Sequence, residues 1–561
     1  MKSLHMTYKS KIWAGLAIMF GFAAVVTNAS AQQKGEVKDQ EFIIRKDRVL
    51  TLPKQPRQFE RIPVLPVPKS SSSFNYEVKP FFLSLAPVEI KPEAAQKQFP
   101  KKDDDIYSGF ARLGYGNYGS PLIEGRFNSW EEGDYNFGAK LKHESFATGP
   151  VGGKNSGEAL TSVGVDGTLY RDFIQIYGGV DYDHHRFNFY GYDPANPFLE
   201  NYIPSQNILK TFKLNGGIQN IEKNDGPNYD LRVGVRRFGD NYEASESELE
   251  IKGRTDYWFD DYLKADLGIG LSLTNPSDLF YSNIKRNYFK VSPTLTYHKE
   301  GLKILAGANM VFENDVTLNK RSDFHIFPNI HAHYMLTDEF GVYAGFEGDV
   351  IRKTYHDFVM ENQFLGPSER LLNTIQNYQA SAGVKGTING EINYKAGFNV
   401  GKFANMHFYG NSATDSLRFN LLYDTDTRVI NYVAEIDWEY MGWYKLLASA
   451  NYYQYNTTTL AAAFQRPEWV LSVNNNFTPG DKWLVQVNAN LMGGIQGYYL
   501  SNESVTVLPA ILDLQLKVDY QITDRISAFA IGNNLLNRTN QRFMNYPVRG
   551  IQGIVGATMR F

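Results

Sequence analysis

Polar and apolar residues alternate with a period of two along most of the chain from Ile106 to its end. Leu512, Leu514, Leu516 and Val518 take one face of a stretch whose other face carries Asp513, Gln515, Lys517 and Asp519. The same period separates Tyr432, Ala434, Ile436 and Trp438 from Asn431, Glu435 and Asp437, and Ala265, Leu267 and Ile269 from Lys264 and Asp266. The closing segment behaves alike: Phe561, Met559, Ala557, Val555, Gly553 and Ile551 share one parity, while Arg560, Thr558, Gly556 and Gln552 share the other, with Ile554 the exception. Successive strand side chains point to opposite faces, so each stretch predicts a two-faced β-strand. Inward faces this rich in Asp, Lys, Glu and Asn would be too costly to desolvate as a dry core. An apolar exterior around a polar, watery lumen satisfies both faces, which predicts an all-β fold: a transmembrane antiparallel β-barrel.

The connections add a direction. Short ones such as "HKEG", "LTDEFG" and "QITDR" alternate with long ones such as "YHDFVMENQFLGPSERLL" and "LLNRTNQRFMNYPVRG". Short periplasmic turns and longer outer loops are the expected asymmetry. Trp130, Trp258, Trp438, Trp443 and Trp483, with Tyr520, lie beside short connections, so they are the expected periplasmic aromatic girdle. The best strand count is 22, within a range of 18–22, provided that 418–440 is one long, bulged strand. Splitting it would make the number odd and put the two chain ends on opposite sides of the membrane.

The chain ahead of the barrel is different in kind. Lys2, Lys9 and Lys11 precede a 15-residue apolar run, Ile12 to Val26, and a small-residue junction at Ala29–Ala31. That is the form of a secretory signal peptide over 1–31, cleaved after Ala31, and the run is shorter than the ~20 residues of a spanning helix. Residues 32–105 hold 9 of the 23 prolines and a single glycine, whereas 106–561 hold 45 of the 48 glycines. Proline fixes φ and removes a donor, so 32–105 is expected to be an extended Pro-rich arm at the periplasmic or lumenal side, and 106–561 the barrel. The absence of cysteine excludes disulfides and thiolate metal sites. A net charge of −3 offers no general attraction to nucleic acid.

The C-terminal 36 residues, "ISAFAIGNNLLNRTNQRFMNYPVRGIQGIVGATMRF", resemble the last two strands of TonB-dependent outer-membrane receptors. Asn534, Leu535, Leu536, Asn537, Tyr546, Pro547 and the terminal Phe561 match that pattern, while "PVRG" departs from it. The resemblance implies location in the outer membrane of a Gram-negative, Bacteroidota-type cell, contact with its lipid, and recognition of Phe561 by the barrel-assembly machinery as an insertion signal. It also implies an N-terminal plug that 32–105 does not supply, so occlusion of the lumen is expected from outer loops, from the arm or from a partner.

Candidate chemistry is sparse. Asp181, Asp183 and His185 share the lumen parity of one strand and could offer oxygen and imidazole ligands to a metal. Without further ligand spacing the expected reading is a charged lumen wall, with no metal and no cofactor. No G-x-S-x-G, H-E-x-x-H, P-loop or dinucleotide motif occurs, so an enzyme is not expected. The leading function is an outer-membrane receptor or porin-like barrel for solute or nutrient passage. The alternative is an accessory barrel in an outer-membrane assembly or secretion complex, with 32–105 docking periplasmic or envelope proteins.

Overall fold

The alternating stretches pair in chain order, each strand antiparallel to the next, and 22 of them form one closed sheet. The computed structural model describes residues 107–129, 134–191, 205–221, 226–280, 284–314, 323–367 and 370–561. The expected signal peptide with Ala31, the arm over 32–105 and Trp130 lie outside the described residues. Closure joins the first strand, Gly109–Gly116, to the last, Gln552–Arg560, in the register Phe110↔Arg560 through Gly116↔Ile554. Phe561 continues that seam: its carbonyl accepts from Gly109 N–H at 2.9 Å and its own N–H donates to the Gly109 carbonyl at 3.0 Å. A closed ladder leaves no strand edge, the condition for crossing a bilayer with strands.

The faces fall as the period requires. On the last strand Val555 and Met559 are exposed at 64% and 53%, whereas Ile554 and Thr558 are buried. Outward Val163, Val165, Leu231, Val235, Ile326 and Ile330 repeat that exposure around the ring. A continuous apolar belt of this kind is far larger than the patches soluble monomers expose, and it is matched to lipid. Inside, ion pairs lie between neighbouring strands, as Lys213–Asp183 at 3.0 Å, within one strand, as Lys264–Asp266 at 3.2 Å, and between strands that are not paired with each other, as Lys290–Asp349 at 2.7 Å.

Two expectations change. The segment 418–440 is not one strand. Phe419–Asp424 leaves the wall to pair with Met406–Asn411, and Thr427–Tyr440 alone is the wall strand. Asp424 makes the break: its carboxylate accepts from Thr427 Oγ1 at 2.6 Å, Thr458 N–H at 3.0 Å and Leu460 N–H at 3.1 Å, turning the chain out of the sheet. The count stays even without merging. Nor does Thr558 face open water. It is 3% exposed and accepts a hydrogen bond from Arg112 Nε at 3.1 Å, and Arg112 pairs with Glu124 at 3.1 Å. Ile554, the parity exception, completes a small inward cluster with Leu122 and Phe529 beside this pair.

Candidate functional site

The long connections do not hang over the barrel; they fold into it. Met406–Asn411, Phe419–Asp424, Gln496–Tyr499 and Ser504–Val507 build a separate four-stranded sheet, and Tyr355–Glu361 forms a short helix between two wall strands. Their apolar side chains make one core with the outer ends of the wall. Phe187, Leu209 and Phe238 enter it from one side of the ring, Val470, Met492 and Ile511 from far round it, and Phe364, Phe419 and Tyr546 lie between. A core reaching both sides of a 22-stranded ring spans the lumen, so these connections are a cap. Tyr546 is its centre: it is 1% exposed, its ring stacks on Phe364 at 3.5 Å and meets Tyr190 at 5.1 Å, and its hydroxyl donates to the Leu417 carbonyl. Gly191 allows this, since a Cβ there would sit 2.2 Å from a Tyr546 ring carbon.

Charge pins the cap to the wall. Glu246 accepts from the N–H groups of Tyr355 and His356, at 2.8 and 3.3 Å, and so terminates the short helix with a wall carboxylate. Arg236 bridges Glu246 and Thr354, and Arg352 pairs with Glu248 and Glu250. Deeper in the cap, Glu361 is shared by His407 at 2.9 Å, Lys353 at 3.3 Å and Arg466 at 3.7 Å. Burial alone would raise Glu361, but His407, Lys353 and Arg466 hold it well below the usual carboxylate range. Burial pushes His407 down to about 4, against the pull of Glu361. The imidazole Nε2 lies 2.9 Å from Glu361 Oε2 and 3.1 Å from Arg466 Nη2, inside one cluster. Burial likewise opposes ionisation of Asp424, yet hydrogen bonds from Thr427, Thr459 and Thr458 hold its carboxyl below the ordinary value.

Between cap and wall lies a cavity of about 710 Å³, lined from the wall by Asp183, His185 and Lys213 and from the connections by Arg352, Arg542 and Arg549. No family model and no curated protein matches the sequence. Solved structures do match. The chain is similar to the FrpB iron transporter from Neisseria meningitidis (F3-3 variant), with a TM-score of 0.65, 9% identity and 82% of each chain covered. It is similar to the pyoverdine outer membrane receptor FpvA from Pseudomonas aeruginosa PAO1 bound to pyoverdine (TM-score 0.63, 13% identity, 81% of this chain and 78% of that one). The ferric-catecholate import receptor Fiu from E. coli K12 gives 0.61 at 10% identity over 82% of each chain. The fold is that of TonB-dependent outer-membrane receptors. At these identities the likeness carries the fold and assigns no residue.

Within that receptor fold the residues singled out from the sequence take distinct places. Asp181, Asp183 and His185 do share the lumen face, but each has its own partner: Lys140 at 2.6 Å, Ser162 and Lys213 at 2.6 and 3.0 Å, and Glu158 at 3.0 Å. They are partnered wall residues, Asp181 and Asp183 with cations and His185 with a carboxylate. Among the described residues, a ligand-capable group lies elsewhere: Glu313, Asp323 and His325 bring one donor atom each within 4.8 Å of one another, a set suited to a divalent cation. Its signal in the sequence was two lumen-parity residues, Asp323 and His325, on one strand and Glu313 on the preceding one, and only the register Glu313↔Asp323 joins them. Trp438 meets Tyr444 edge-to-face at 5.4 Å, and Trp443 meets Tyr440 edge-to-face at 5.9 Å, beside a short connection; Trp483 meets Tyr520 at 4.5 Å. Trp258 shares the inward parity of Arg254 and Asp256, with Lys264 Nζ 5.8 Å from its ring, and like Tyr257 and Phe259 it is exposed. In the C-terminal motif, Asn534 adopts φ 47° and its amide donates to the carbonyls of Arg538 and Arg549, both at 2.8 Å. Asn537 accepts from Ile551 N–H at 3.2 Å, Leu535 N–H donates to the Leu514 carbonyl, and the Pro547 carbonyl accepts from Tyr190. Leu536 is exposed. The motif ties the last connection into the cap.

Proposed function

We propose that this chain is an outer-membrane receptor or porin-like barrel that passes a solute or nutrient, with its own outer connections as the closure. The observation that carries the reading is the cavity of about 710 Å³ held between a side-chain-packed cap and a charged lumen wall. A pocket of that size suits a small solute. The similar structures are an iron transporter, a pyoverdine receptor and a ferric-catecholate import receptor, which supports solute uptake as the class of function. The Phe561 end serves the assembly machinery as the insertion signal, and the arm over 32–105 docks periplasmic or envelope partners.

Planar-bilayer recording tests this. The intact barrel is expected to be nearly silent, and a variant with 355–371 replaced by a short Gly-Ser linker is expected to conduct. The second reading, an accessory barrel of an assembly or secretion complex, draws on the same packed core, because a plugged barrel can serve as a scaffold. Continued silence of the linker variant, together with stoichiometric co-purification of envelope proteins, would favour that reading over transport.

A further inference from the structure

The cations lining the cavity are compensated, with one exception. Lys213 pairs with Asp183 at 3.0 Å, Lys353 with Glu361 at 3.3 Å, Arg352 with Glu250 at 3.0 Å and Arg549 with Glu158 at 2.6 Å. Arg542 has no carboxylate within ion-pair distance among the described residues. Its Nη1 donates to the main-chain carbonyl of Gln465 at 2.6 Å, and its guanidinium lies 4.9 Å from the Phe543 ring. The acid that influences it, Glu361, is already shared by Lys353, Arg466 and His407. Gln465 is itself held rigidly, with φ 61° and 1% exposure. In the same cavity wall the Gln363 amide nitrogen is buried with no hydrogen-bond acceptor. Burial lowers Arg542 only to about 10, so it remains a cation at neutral pH.

A half-buried guanidinium that faces a cavity with donors unspent is a ready partner for an anion. We propose that the cavity binds a small oxyanion-bearing solute, a carboxylate or a phosphate, through the fork of Arg542 with Gln363 as a second donor. A planar guanidinium presents parallel N–H groups that match two oxygens of such a ligand. The cavity volume of about 710 Å³ limits the solute to small-molecule size. This names the solute class of the transport reading and rests on that reading for the solute's route.

Calorimetric titration of the full chain in detergent tests it, with citrate and inorganic phosphate as the two oxyanion probes and maltose as the uncharged control. Saturable binding of citrate or phosphate, and none of maltose, is expected; which probe binds separates a carboxylate from a phosphate ligand. Arg542→Gln should weaken that binding at least tenfold. Lys252→Gln, which removes a lumen cation paired with Glu250 outside the cavity, should leave it unchanged. If Arg542→Gln fails to assemble, Arg542→Lys decides, because it keeps the charge but loses the fork and should bind several-fold more weakly. No saturable binding of either oxyanion, or unaltered affinity in the Arg542 variants, overturns the proposal. Binding is read without flux, so a barrel that binds but never conducts sinks the transport reading and not the site.

Discussion

The barrel wall and the cap share a chain and are built on different principles. In the wall each strand pairs with its sequence neighbour, and the last strand returns to the first; backbone groups do the joining, through ladders as long as the 15 paired positions between Ile174–Asn188 and Gln206–Asn220. No single side chain is essential to such a ladder. The cap has little regular backbone pairing and is assembled by side chains from distant connections: Tyr190 reaches Pro547, Tyr546 reaches Leu417, and Arg549 reaches Glu158. Contacts between remote segments are made against a large loop-closure entropy, so each one counts. The wall should therefore tolerate substitutions that open the cap.

The sharpest way to break that distinction is Phe364→Ala. Phe364 is 1% exposed and touches Phe187, Phe189, Tyr190, Phe543 and Tyr546. Its loss should cost the cap about 3–5 kcal/mol, raising bilayer conductance while the barrel keeps its heat-modifiable migration on gels. Should migration change as well, cap and wall form one cooperative unit and the contrast fails. Next in size is Val555→Arg, which puts a charge on the lipid face of the seam and should cost about 2–4 kcal/mol at mid-bilayer depth. Membrane yield should fall, and the protein that does insert should stay closed. Thr558→Arg tests the other face. With Thr558 packed against Arg112, a second guanidinium there should also impair assembly.

The period-two pattern carried the wall almost completely, because pleat geometry is local and each lumen or lipid face repeats it. It failed where the chain leaves the sheet. The stretch 418–440 alternates well enough to pass for one strand, and only the hydrogen bonds that Asp424 receives from the 457–460 segment, more than thirty residues away, reveal the exit. Trp258 sits beside a short connection as girdle residues do, yet its parity is that of Arg254 and Asp256. The cap was legible only as one of three sources of occlusion, and its internal packing not at all, since connections such as 352–373 and 534–551 have no period and acquire an inside only from one another. The C-terminal motif was legible as a motif, but the place of Tyr546 at the cap's centre was not.

Acid should act on the cap more than on the wall. His407 is depressed by burial to about 4, so its contribution is complete above its ordinary value near 6.5 and is lost as pH falls between the two. Glu361 and Asp424, both held below their ordinary values of 4.5 and 3.8, keep their contribution above those values and lose it only as pH falls below them towards the lower folded-state values. All three push the same way. Conductance of the intact barrel should begin to rise between pH 7 and pH 4 through His407 and rise further below pH 4, where protease should gain access to 457–468. Asp424→Asn, which removes the charge from a carboxylate receiving hydrogen bonds from 427 and 458–460, should reproduce part of this at pH 7 at a cost of about 1.5–3 kcal/mol. A conductance flat from pH 7 to pH 3 would show that packing alone holds the cap shut.

The smallest effect probes the wall's own decoration. Trp483 and Tyr520 are direct cross-strand partners, with ring centroids 4.5 Å apart, at the end of the barrel that carries the short connections. Rings in that position are favoured at the membrane interface, and a pair of this kind contributes about 0.5–1.5 kcal/mol beyond the area it covers. The backbone ladder from Trp483↔Tyr520 to Met492↔Ile511 does not depend on either ring. Trp483→Ala and Tyr520→Ala should therefore each leave a closed, inserted barrel, with a modest loss of folding stability in lipid vesicles under urea. The double variant should lose less than the sum of the two by roughly the coupling energy. A coupling near zero would make the rings independent interface anchors, whereas a loss of several kcal/mol from either single change would mean that the wall, like the cap, leans on individual side chains.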